Sequence, residues 1–156
     1  MKNLFLALAL LIMGAVCSEA AAKTTSESNF SNQVLNFLKQ EGYMPSIDSD
    51  GDVKFKSEGD TYFVIAHDYN DGWYVKIMGL MGAEGVNTRA VLEACNATVA
   101  EYKFVRCYYR AQNSDIVYEC AGYFTGIEQF KALFEDFMSI LKNADSMLLE
   151  KYSEFS

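Results

Sequence analysis

The sequence predicts an α+β domain with elements in the order α-β-β-β-α-β-β-α, its strands forming an antiparallel sheet. Three observations carry that expectation. Apolar residues recur at helical spacing near residue 30 and again from residue 127 to 148. Between residues 53 and 78 they alternate with polar ones, and turn residues separate the runs. The chain has 156 residues and is 51% hydrophobic, which suits one domain with a substantial core.

The first helix is expected over residues 30–41, where Phe30, Val34, Phe37 and Leu38 share a face and Gly42 takes the C′ position. The polar, Ser/Thr-rich residues 23–29 read as a flexible tail ahead of a single domain over residues 30–156. A meander follows. Val53 and Phe55 alternate with Lys54 and Lys56, residues 57–60 turn, and residues 61–66 form a β-branched, aromatic strand. Asn70-Asp71-Gly72 is turn chemistry, and Trp73, Val75 and Ile77 mark one face of a third strand. Residues 79–85 read as a glycine-rich connection. Asn87 can cap a helix reaching Tyr102, with Val91, Cys95 and Thr98 buried. Residues 104–123 form a hairpin. Thr125 and Glu128 fit a capping box for a last helix of about 25 residues, roughly 37 Å long. That exceeds the sheet, so its overhang needs another surface, and a homodimer contact is one candidate.

The N-terminus carries targeting signals. Lys2 precedes an uncharged apolar run over residues 4–16, too short for a membrane span but suited to a signal peptide. Ala20-Ala21-Ala22 offers a cleavage site before Lys23, so residues 1–22 are expected to be removed, leaving no membrane span. A bacterial periplasmic or extracellular location follows. A lipoprotein anchored through Cys17, or a retained anchor, is the alternative. Cleavage removes Lys2 and Glu19 together, so the charge stays at −8. Such a protein repels nucleic acid and anionic membranes, and charge favours a basic partner.

The stretch Phe37-Leu38-Lys39-Gln40-Glu41-Gly42-Tyr43, the acidic turn at residues 48–52 and the strand Val53-Lys54-Phe55-Lys56 resemble the opening of YbjN-like domains. Residues 91–96, followed by Tyr102-Lys103-Phe104-Val105, resemble their middle helix and the strand after it. The resemblance covers about residues 30–152. It implies a type III secretion chaperone-like fold, an antiparallel sheet with helices packed on one face. It also implies a non-catalytic, often dimeric protein that holds a segment of another polypeptide. This chain differs from those cytoplasmic proteins in its leader and its extra cysteines.

After the leader the cysteines are Cys95, Cys107 and Cys120. If Asn113-Ser114 is a two-residue loop, Gln112 faces Asp115 and Cys107 lies directly opposite Cys120. Alternation makes that a non-hydrogen-bonded pair with Cα atoms about 4.5 Å apart, near the lower limit for a disulfide. Small buried thiols, or a bond from Cys95 to one of the others, are the alternatives. The same register puts Arg106, Tyr108, Arg110 and Glu119 on one outward face, with Glu119 diagonal to both arginines. Tyr74 and Tyr123 also face outward. This aromatic, charged row is the candidate partner surface, suited to an extended peptide.

No catalytic site, cofactor or metal is expected. His67 has no matching cysteine motif. One histidine and scattered cysteines do not make a zinc site. The acidic run at residues 48–52 lacks the glycine and glutamate positions of a calcium loop, and Gly79, Gly82 and Gly85 lack a phosphate-loop lysine. Asn96-Ala97-Thr98 fits a glycosylation sequon but falls on a helix. The expected function is an exported, non-enzymatic protein-binding module, chaperone-like or adaptor. The alternatives are an inhibitor or immunity-type protein against a basic secreted enzyme, and a small-ligand-binding envelope protein.

Overall fold

The computed structural model describes residues 22–156. Residues 1–21, with Cys17 and all but the last residue of the expected signal peptide, lie outside them. The described chain is α+β, in the order α1 (Thr25–Gln40), β1 (Ser46–Ile47), β2 (Val53–Ser57), β3 (Asp60–Tyr69), β4 (Gly72–Gly82), α2 (Thr88–Glu101), β5 (Val105–Arg110), β6 (Asp115–Phe124) and α3 (Ile127–Phe155). No helix among these residues is long and apolar enough to cross a membrane.

The expected tail is helix. Thr24 caps α1 by accepting the Glu27 N–H at 3.1 Å, and the Glu27 carboxylate accepts the Thr24 N–H at 2.9 Å. Thr24 and Glu27 are themselves a capping box, hidden in a run that composition marks as loop. Lys23 is anchored too: its Nζ lies 2.6 Å from Asp52 and donates to Ser31. At the other end Tyr43 N–H bonds Leu38 O and Gly42 N–H bonds Lys39 O, with Gly42 at φ +89°. This Schellman closure satisfies the last carbonyls of α1.

The six strands lie in the order β1-β2-β3-β4-β6-β5, each antiparallel to its neighbours. The short β1 was not expected. Helix α2 carries the chain from β4 to the far edge, and β6 returns between them. All three helices bury their apolar stripes on one side. Phe30, Phe37, Phe130 and Phe134 pack with Phe55, Val64 and Ile77, largely through edge-on ring contacts. Trp73 stacks on Phe30 with centroids 4.4 Å apart.

Two expectations at the ends of α3 change. Thr125 does not pair with Glu128. Its N–H instead bonds the Gln129 side chain at 2.9 Å, and Gly126 is the N-cap without a side-chain bond. The helix has 29 residues, and its overhang is covered by α2. Leu148 and Tyr152 join Val91, Ala94 and Ile116 in a second, smaller core.

The first part of the glycine-rich connection, residues 79–82, also proves to be strand, because β4 pairs with β6 as far as Gly82, and only residues 83–85 lie beyond it. Gly79 makes this pairing workable. It faces Tyr118, and a Cβ there would sit 2.3 Å from the Tyr118 ring. Tyr118 cannot yield easily, since it is buried and its ring packs edge-on against that of Tyr62. Burial, with the Asp145 charge nearby, pushes its phenol well above the ordinary value. Gly79→Ala is therefore expected to destabilise the fold by about 2 kcal/mol through overpacking. Gly82→Ala meets no neighbour within 4 Å and should stay within about 0.5 kcal/mol of the parent. Urea denaturation of both variants checks this; equal stabilities would refute the role given to Gly79.

Candidate functional site

Side chains alternate across a strand, so burying one face of the sheet commits the other. Among the described residues no helix lies on that second face. Its centre is apolar: Phe63 and Ile65 on β3, Met78 and Leu80 on β4, and Val117 on β6, neighbours in register. Phe63, Ile65, Met78 and Leu80 are half-buried by each other and by adjoining stems.

Around this strip stand cations. Lys54, Lys56, Lys76, Arg106 and Arg110 occupy the face, against the carboxylates Asp115 and Glu119 among the described strand residues. The chain as a whole carries −8. The sheet face thus has the opposite sign to the molecule, and the sequence-based expectation of a basic partner does not apply to it. Lys54 extends over the Phe63 ring, 5.7 Å from its centroid, and Arg106 over the Tyr108 ring at 5.8 Å.

All six candidate surface residues stand on this face, in two groups. Tyr74 and Tyr123 are a cross-strand pair with centroids 5.7 Å apart, and Tyr69 joins them 5.2 Å from Tyr123. Tyr123 and Tyr69 are more than half exposed. At the other end lie Arg106, Tyr108, Arg110 and Glu119. Here the register differs from expectation. The loop is Ala111–Ser114, so Arg106 faces Glu119 directly, Tyr108 faces Val117 and Arg110 faces Asp115. The expected pairing is displaced by two residues, which keeps every side chain on its expected face. It also separates the cysteines: Cys107 faces Tyr118 and Cys120 faces Val105, so the expected direct Cys107–Cys120 opposition is absent. The sulfur near Cys107 is that of Cys95 on α2, 3.0 Å away.

Glu119 organises its end of the face. It is only 1% exposed. Lys76 Nζ donates to its Oε2 at 3.2 Å. Arg106 Nη1 lies 2.9 Å from Oε1, but off the line a hydrogen bond needs, so that oxygen has a charge partner without a directed bond. A buried carboxylate is tolerable only with such partners.

The other candidates are dispersed. His67 lies in the outward row of β3 between Ile65 and Tyr69, with its Nδ1 3.6 Å from the Glu27 carboxylate. Asp48 spends an oxygen on its own turn, accepting the Asp50 and Asp52 N–H groups. Among the described residues no cluster of three or more His, Cys, Asp or Glu is placed to hold a metal ion. On the helical side an apolar cavity of about 180 Å³ lies between α2, α3 and the ends of β4 and β6, lined by Val86, Val91, Leu148 and Tyr152 among others. That is below the roughly 300 Å³ typical of small-molecule sites and fits a single apolar side chain.

Sequence reasoning missed Tyr69, Leu80 and Phe63 as face residues. Their alternation is legible, but strands bounded by the turn residues and glycines of the sequence end before Tyr69 and Leu80, and the neighbours of Phe63 depend on strand order. Because Glu119 is buried, Lys76→Met is expected to cost about 2 kcal/mol, and Lys76→Met with Glu119→Leu should recover most of it. A thermal-melt double-mutant cycle tests this. A single variant as stable as the parent would show that Arg106 alone neutralises the carboxylate.

The chain matches no protein-family model, and no curated protein sequence matches it significantly.

Proposed function

We propose that the protein is an exported, non-enzymatic module that binds an extended, acidic segment of another polypeptide across the helix-free face of its sheet. One observation carries the reading: an acidic chain gathers lysines and arginines on a single aromatic face of its sheet. Tyrosines supply contact area with little rotamer entropy to lose, and the half-buried apolar strip supplies surface to remove from water. The surrounding cations select carboxylates and speed encounter with them. The leader supports export, and the secretion chaperone-like resemblance supports the same kind of function.

Short peptides in matched acidic and basic sets, each with interspersed aromatic residues, provide the test. The acidic set should bind, and more weakly as salt rises. Lys54→Glu with Lys56→Glu should weaken binding roughly tenfold, and Tyr123→Ala by about 5- to 30-fold, with folding unchanged because all three side chains are exposed. Preference for the basic set would overturn the reading in favour of an inhibitor engaging the acidic remainder of the surface. Binding of neither set would remove the face as a peptide site.

A further inference from the structure

We propose that Cys95 and Cys107 form an intramolecular disulfide that ties α2 to the edge strand β5. The two sulfurs lie 3.0 Å apart, with the Cys107 thiol directed at the Cys95 sulfur. A disulfide bond is about 2.0 Å long, so closure needs only about 1 Å of movement. Packing already sets the approach. Cys95 faces inward from α2 beside Ala94 and Val91, and Cys107 packs against both cores from β5. Cys120 is excluded from the pair. It sits opposite Val105 and Ile77, fully buried, and burial, then the Glu119 charge, pushes its thiol up to about 12. It stays a reduced core residue.

The bond forms by exchange with an external disulfide, such as glutathione disulfide or the active-site disulfide of an oxidoreductase. One cysteine loses its proton to solvent and its sulfur attacks the oxidant. A protein–oxidant S–S bond forms, the oxidant S–S bond breaks, and one thiol leaves. The second cysteine loses its proton and attacks the first, displacing the other half of the oxidant as its thiol. Two protein thiols are oxidised and one external disulfide is reduced to two thiols. Export would bring the chain to such oxidants.

The cross-link has a structural purpose. Among the described residues β5 has one strand neighbour, β6, so it is held by a single ladder and by α2. Edge elements of this kind open first. Joining residues 95 and 107 closes a short loop, and the gain is expected to raise the melting temperature by roughly 5–10 °C.

The test uses the full chain, folded and treated with glutathione disulfide, then digested without reduction. A linked pair of the Cys95 and Cys107 peptides, two hydrogens lighter than the free pair, is expected, with Cys120 alkylated only after unfolding. The reductant should lower the melting temperature of the parent and leave that of Cys107→Ser unchanged. Any other pairing of Cys95 or Cys107, or free Cys95 and Cys107 thiols after treatment of the folded chain, overturns the proposal. Comparing oxidised with reduced parent protein keeps the test decisive if Cys107→Ser folds poorly.

Discussion

A β-strand presents successive side chains to opposite faces, and in this domain all three helices cover the same one. Most other features follow from that one-sided burial. The covered face holds the rings of Phe55 and Tyr62 and the branched chains of Val64 and Ile77, packed beneath Phe30, Phe37, Phe130 and Phe134. The other face carries whatever remains in alternation. That half combines the lysines of β2, the aliphatic and aromatic residues of β3 and β4, and the arginines of β5. With Val117, Glu119 and Tyr123 of β6, its composition arises from five strands, none of them distinctive alone.

The contrast between molecular charge and face charge has the same origin. Net charge sums over the whole surface, whereas a partner meets one patch of it. Exposed residues of α3 such as Glu128, Glu135, Asp136 and Glu150 carry much of the negative charge and lie on the helical side. On the sheet, Glu119 is enclosed between Lys76 and Arg106 and Asp115 is paired with Arg110, so both carboxylates are neutralised locally while Lys54 and Lys56 stay in water. Long-range attraction to a basic partner and local attraction to an acidic segment can therefore coexist in one small domain, at different places.

The two cores divide the structural work. The larger joins α1 and α3 to the centre of the sheet through aromatic contacts. The smaller joins α2 to the far half of α3 and to the ends of β4 and β6. Cys107 and Met81 touch both. Helix α2 is thereby held against the edge strand that follows it in sequence, which is why two cysteines on successive elements come within 3.0 Å of each other.

Local patterns alone determined the α+β class, the helical stripes of α1 and α3, the Asn87 cap, the Gly42 closure and the outward facing of Tyr74, Arg106, Tyr108, Arg110, Glu119 and Tyr123. Each rests on spacing or turn chemistry within a few residues. The cap at Thr24 was equally local, but Ser/Thr-rich composition concealed it. Tertiary structure decided the rest. Hairpin register was ambiguous by two residues because such a slip leaves both faces unchanged, and only packing against α2 and β4 separates the alternatives. Gly79 reads as a loop residue until the ring of Tyr118 is placed across it. The grouping of Lys54, Lys76 and Arg106 on one face, and the approach of Cys107 to Cys95, require strand order and helix placement. Those arise from contacts between residues far apart in the chain, which no local pattern records.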